Sequence, residues 1–115
     1  MRIDVRGRNM EVTEELREHV SKRFARTARQ VSDLARLEVE LREEKNRANS
    51  NRYVAEANLF LKGTTIHAEE ASPEMLHSVS ELAEDVRRQV KRHREKRRAR
   101  AKTRRAIGGL RGREA

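Results

Sequence analysis

The stretch Tyr53–Val86, YVAEANLFLKGTTIHAEEASPEMLHSVSELAEDV, changes its hydrophobic period once, and that change sets the fold. Its first part alternates. Tyr53, Ala55, Ala57, Leu59 and Leu61 share one face, and Thr64, Ile66 and Ala68 continue it after a tight turn at Lys62-Gly63. A period of two over such short runs marks half-buried strands, so this part is a β-hairpin. Val54 and Phe60 fall on the opposite face, which otherwise holds Glu56, Asn58, Thr65, His67 and Glu69. Ser72-Pro73-Glu74 then reads as a helix start, with a capping hydroxyl, Pro at the first helical position and an acid in the first turn. From there Met75, Leu76, Val79, Leu82, Ala83, Val86 and Val90 recur at helical spacing and form an apolar stripe.

Past Val90 the same stripe carries His93 and Arg97. Residues 91–102 contain no Gly or Pro and are mostly Ala, Lys, Arg and Glu, all strong helix formers. The helix is therefore predicted to leave its core and project past the sheet, basic on every side. Fraying or disorder is expected from Thr103, and certainly by Gly108-Gly109.

Working back toward the N-terminus, Met1, Ile3 and Val5 alternate with Arg2, Asp4 and Arg6, which reads as a strand broken by Gly7-Arg8-Asn9. Thr13 is a good N-cap, with Glu14 and Glu15 where the helix dipole favours negative charge. Leu16, Val20, Phe24, Ala28 and Val31 then lay one apolar stripe along a helix. Lys22, Arg26 and Arg29 lie opposite that stripe, with Arg23 at its flank. Ala35, Leu37, Val39 and Leu41 alternate with Arg36, Glu38, Glu40 and Arg42 as a second strand, and Glu43–Asn51 reads as a mobile, Asn-rich loop. The resulting fold class is α+β, in the order β-α-β-β-β-α: a four-stranded sheet with two helices packed on one face. The first two strands, joined through a helix, should be parallel, and the last three an antiparallel meander.

Composition narrows the chemistry. At 115 residues, with 41% charged and 35% hydrophobic, the chain supports one small core sheltered by charged faces. With no Cys, disulfides and thiolate metal sites are excluded. MRIDVRGRN has no continuous apolar run, so neither a signal peptide nor a membrane span is expected there, and a cytoplasmic location is. The formal charge of +9 is unevenly placed: up to Val86 there are 14 Lys and Arg against 17 Asp and Glu, and from Arg87 onward 14 against 2, giving −3 and +12. A basic terminus can be no more than a solubilising tail. Here, however, the charge begins inside a helix that the core already orders.

No enzyme constellation appears. His19, His67, His77 and His93 lie on different elements without metal-ligand spacing, and no Gly-rich phosphate loop or nucleophile elbow is present. No cofactor, metal or small-molecule substrate is expected. What is present is positive charge with few aromatics: Phe24, Tyr53 and Phe60 are all there are, and periodicity assigns the first two to the core. Base stacking is thus disfavoured, and phosphate contact with structured RNA fits better. The Arg-rich run suits a bidentate grip on phosphate. No helix-turn-helix or zipper pattern suggests DNA, and residues 91–107 lack an apolar face for a membrane.

At this point a family resemblance is visible. The pattern I-x-V-x-G-x-N-x-E-V-T-E-x-L-R-E-x-V, Ile3 through Val20, is similar to the opening of the ribosome hibernation promoting factor and ribosome-associated inhibitor family. Arg52-Tyr53-Val54-Ala55-Glu56-Ala57, Ile66-His67-Ala68 and the run Arg88–Lys96 (RQVKRHREK) agree in the expected order. The resemblance implies a factor that binds the small ribosomal subunit at the decoding region, overlaps the mRNA and tRNA sites, and silences idle ribosomes under stress. It implies contacts to ribosomal RNA from Arg23, Arg26, Arg29, Arg87, Arg88, Lys91, Arg92, Arg94 and Lys96. Residues 1–98 would be the ribosome-binding domain and 99–115 a basic tail, partly helical and then disordered, with the protein monomeric off the ribosome. There are departures: Glu74-Met75-Leu76 stands where many members have Asp-Met-Tyr, and nothing after Lys96 reads as the dimerisation domain of long members. A general structured-RNA binder or RNA chaperone, and a protein-interaction regulator of the sigma-factor modulator type, are the alternatives.

Overall fold

A computed structural model of the chain describes residues 1–45 and 50–114, with residues 107–114 described by backbone only. Seven elements follow in order: β1 Arg2–Arg8, α1 Glu14–Arg23, α2 Ala25–Gln30, β2 Arg36–Glu43, β3 Tyr53–Leu61, β4 Thr64–Ser72 and α3 Met75–Glu114. The strands form one sheet in the order β1-β2-β3-β4, with β1 parallel to β2 and both later pairs antiparallel. This is the α+β architecture expected from the two hydrophobic periods. Part of the Glu43–Asn51 loop, residues 46–49, lies outside the described residues, and Glu43 itself closes β2.

The core lies between the inner sheet face and the helices. Leu37, Leu41, Leu59, Leu82, Val86 and Phe24 are fully buried there, each worth about 1.5–3 kcal/mol of transfer free energy for its side chain. The alternation in β2 and β3 forces this arrangement, since a slip of one residue would turn Leu37, Val39 and Leu41 to water.

Several local details depart from the sequence expectation, and β1 itself runs on through Gly7 and Arg8. The first helix is interrupted at Phe24, whose backbone sits at φ −92°, ψ 4°, so α1 and α2 replace one helix. The Phe24 N–H still bonds the Val20 carbonyl, and the Ala28 N–H the Phe24 carbonyl, each at 3.0 Å. The interruption is therefore a kink around a fully buried ring. Beyond it Thr27 is buried, while Ala28 and Val31 are only half-buried. At the second helix start, Ser72 ends β4 and α3 begins at Met75, with the Glu74 carbonyl accepting from the Ser78 N–H at 3.0 Å. Glu74 is thus at the cap, not in the first turn. Leu76, placed on the apolar stripe by spacing, is 41% exposed. Finally, α3 is helical through Gly108-Gly109 to Glu114, past the point where fraying was expected. Each Gly costs a helix about 1 kcal/mol, and no Pro interrupts the run.

Two residues of the N-terminal motif have a steric reason. A Cβ on Gly7 would collide with the Met10 carbonyl oxygen, because the chain folds back tightly after β1. Asn9 supplies the left-handed conformation of that turn, at φ 58°.

Candidate nucleic-acid interface

Three ties fix the direction of α3 before it leaves the core. Its first turn is pinned by Ser78, fully buried, whose hydroxyl donates to the Tyr53 carbonyl oxygen at 2.6 Å and lies 2.7 Å from the Ser72 hydroxyl. In the same turn, the His19 ring Nε2 lies 3.1 Å from the Leu76 carbonyl oxygen and so joins α1 to α3. Gln89 Nε2 donates to the His67 carbonyl oxygen of β4 at 2.9 Å, next to Val90, the last residue of the helix that is buried among those whose side chains are described. Between Lys91 and Ala106 only His93 is half-buried, and every residue from Arg94 to Ala106 is exposed. At 1.5 Å per residue this free section is about 24 Å long from Val90 to Ala106.

The nine basic residues singled out from the sequence are placed unevenly. Arg23 ends α1, Arg26 and Arg29 lie on α2, and all three are exposed. On α3, Arg87 is half-buried, and Arg88, Lys91, Arg92, Arg94 and Lys96 are exposed. A groove between α2 and α3 gathers Arg87, Lys91 and Arg94 with Gln30, Glu95 and Arg98. A second groove, between the start of β4 and α3, gathers Arg92 and Lys96 with Thr64, Thr65, Ile66, Gln89 and His93. Arg23, Arg26, Arg29 and Arg88 line neither. Arg98, Gln30, Thr64, Thr65 and His93 are lining residues that the sequence reading did not select. Charge past Lys96 could have flagged Arg98; the others depend on which elements meet in space.

Electrostatics show that the two helical clusters share one field. Arg87 holds Glu84 through Nη2 at 3.0 Å, and this bond keeps the Glu84 carboxyl below its ordinary range. Slight burial opposes the shift, and the positive charges of Arg87, Arg88 and Arg26 reinforce it. Arg26 of α2 thus acts on an acid of α3. On the other flank, burial raises the Glu70 pKa, helped by a hydrogen bond with Asp85 and by repulsion from Asp85 and Glu81, while Arg88 lowers it.

The outer sheet face is charged but neutralised. Arg42, with its side chain 15% exposed, reaches across β3 to Glu69 at 2.9 Å and also binds Glu44 at 2.8 Å. Burial alone would lower its pKa; Glu44, Glu69 and Glu56 together raise it. The same side chain crosses the sheet beside Val54, which is fully buried although the alternation put it on the open face. Glu56, His67 and Glu69 bring potential metal-ligand atoms within 4.8 Å of one another, a cluster made by β3–β4 register and invisible to sequence spacing. The Arg42 guanidinium already stands against two of its carboxylates, at 3.7 Å from Glu56 and 2.9 Å from Glu69, where it would repel a cation. Phe60, the aromatic outside the core, has the Arg36 guanidinium 4.7 Å from its ring centre, so that ring is already engaged. No helix among the described residues is long and apolar enough to cross a membrane.

Residues 3–98 match the family described as Sigma 54 modulation protein / S30EA ribosomal protein. The chain is 30% identical to the ribosome hibernation promoting factor of Salmonella typhimurium over 96 residues, covering 84% of this chain and 96% of that one. It is 29% identical over the same spans to the Escherichia coli K12 protein of that name. The Thermus thermophilus Protein Y N-terminal domain superposes with a TM-score of 0.70 at 26% identity, covering 81% of this chain and 99% of that one. A ribosomal subunit interface protein from Coxiella burnetii shares the fold, with a TM-score of 0.69 at 22% identity, covering 83% of this chain and 99% of that one.

Proposed function

Because the chain belongs to the Sigma 54 modulation protein / S30EA ribosomal protein family, we propose that it is a ribosome hibernation factor. It binds the small subunit at the decoding region through ribosomal RNA phosphates, occludes the mRNA and tRNA sites, and silences translation under stress. The observation that carries this reading is the rigid docking of a helix whose exposed section is basic on all sides, beside a second basic cluster on α2. Arg23, Arg26 and Arg29 from the first pair of helices, with Arg87, Arg88, Lys91, Arg92, Arg94 and Lys96 from α3, are the contacts assigned to it. Family membership and the relatives' names support a hibernation or subunit-interface role, in a family of ribosome-associated factors and not of enzymes. On this reading residues 1–98 are the ribosome-binding domain, 99–115 add charge to it, and the protein works as a cytoplasmic monomer until it meets a subunit.

Sedimentation through a sucrose gradient at low salt tests the partner, and an in vitro translation reaction with added protein tests the consequence. Co-migration with small subunits and dose-dependent inhibition are expected. Free duplex RNA competing as well as ribosomes would replace the reading with a general RNA binder. A complex surviving nuclease would replace it with a protein-interaction regulator.

A further inference from the structure

The positive charge of α3 does not form one face. Arg87, Lys91, Arg94 and Arg98 follow one another at spacings of four, three and four along the α2 side. Arg92, His93 and Lys96 turn to the β4 side, where Thr64 and Thr65 complete the wall. At about 100° per residue, the centres of these two sets lie roughly 170° apart around the helix. The stripe that ends in Val86 and Val90 runs between them and holds the helix to the sheet. An α-helix with its side chains is about 10–12 Å across, so one backbone strand lying in one groove does not reach the cations of the other.

We propose, on the footing of the RNA-binding reading above, that the β4-side groove is a second phosphate site and that α3 engages two RNA backbone strands at once, one on each flank. The partner this fits is a duplex approached across its wide, shallow minor groove, which two phosphate strands border. A lone strand would fill one groove and leave the other empty. The grooves also differ in kind. The α2 side holds four cations and one acid, Glu95, and grips by charge. The β4 side has two cations, an imidazole and two hydroxyls, so neutral hydrogen bonds carry more of its contact with a phosphate. The scarcity of aromatics agrees, since binders of unpaired strands stack bases on them.

Fluorescence anisotropy of the full chain on two RNAs of equal phosphate number, one a hairpin and one unpaired, measured at several salt concentrations, tests this. Counterion release gives a slope of about 0.9 per neutralised phosphate on a duplex and about 0.7 on a single strand. The slope on the hairpin should exceed that on the unpaired RNA by more than this ratio. Arg92→Gln with Lys96→Gln should lower the hairpin slope by about 1.8 and leave the unpaired slope nearly unchanged. Thr64→Val with Thr65→Val should weaken hairpin binding several-fold without changing the slope, which a diffuse charge cloud would not do. Circular dichroism confirms that each variant is folded. Equal losses on both RNAs from the Arg92/Lys96 pair, or a silent Thr64/Thr65 pair, would overturn the second site. Hairpin selectivity without ribosome co-sedimentation would leave this inference standing and sink the hibernation reading alone. Failure to bind either RNA would sink both.

Discussion

The two halves of α3 share one backbone and almost nothing else. From Met75 to Val90 the helix buries Met75, Val79, Leu82, Ala83, Val86 and Val90 and carries Glu81, Glu84 and Asp85 outward. From Lys91 to Ala106 it buries no side chain and carries ten Lys and Arg against Glu95. An isolated helix as short as the second half is marginal in water, because nucleation is costly. Here the first half supplies the nucleus, and Ala, Arg and Lys propagate it. The dipole also favours cations toward the C-terminal end. The comparison teaches a division of labour: packing sets direction and position, and the unpacked extension is free to be charged on every side.

The strongest way to break the division is to put a charge in the packed half. Val86→Asp buries an unpaired carboxylate at a fully buried position and should cost on the order of 3–5 kcal/mol. A denaturant melt should show the domain unfolded or nearly so, and a mild effect would mean that α3 is not held as described. The complementary change is Arg88→Glu with Lys91→Glu and Arg92→Glu, all exposed. Stability should stay within about 1 kcal/mol, as for surface changes, while ribosome affinity falls by at least about a hundredfold at moderate salt. If the triple variant still co-sediments and still inhibits translation, the charged half is not the contact.

How legible this division was in the sequence follows from what kind of information each part needs. The strands, the parallel first pair and the packed half of α3 were legible because one-sided burial leaves a period, and Leu37–Leu41 and Val79–Val90 keep theirs cleanly. The exit from the core was legible as well, in the substitution of His93 and Arg97 for valines. What was hidden depends on two elements meeting. Thr27 is buried because the Phe24 kink turns α2, and Val54 because Arg42 crosses the sheet beside it. The helix start was misplaced because Ser72 caps Glu74 N–H at 3.2 Å while still ending a strand. The nine basic residues were visible as charge. Their separation into two grooves needed the positions of Gln30 and Thr64, which no spacing along one helix reveals.

A smaller test concerns the pin at the base of the packed half. Ser78→Ala removes the donor to the Tyr53 carbonyl oxygen and should cost about 1–3 kcal/mol, the penalty for a buried polar group left unpaired. RNA binding at temperatures well below the melt should be unchanged, since the residue lies in the packed half and bonds the ends of β3 and β4, not the charged extension. A drop in affinity at equal stability would show that the pin also aims the probe.

The smallest expected effect lies where the halves meet. Glu70, on β4, faces Asp85 and Glu81 of α3, and Arg88 only partly offsets them. Burial first, and then these two acids, raise its folded-state pKa above the ordinary value of 4.5, so the folded protein holds this proton more tightly than the unfolded chain does. The sign follows: stability is greatest below that value and is lost as pH rises from it through the raised folded value. At neutral pH the ionised carboxylate therefore works against the fold. Glu70→Gln should stabilise the protein at pH 7, by less than about 1 kcal/mol because Glu70 is only half-buried and solvent still screens it. The gain should vanish in melts below the ordinary carboxylate range, where the native Glu70 is protonated as well. A destabilised variant at pH 7 would mean that attraction to Arg88 outweighs the acids, and the boundary between the halves would then be held by charge and not merely tolerated by it.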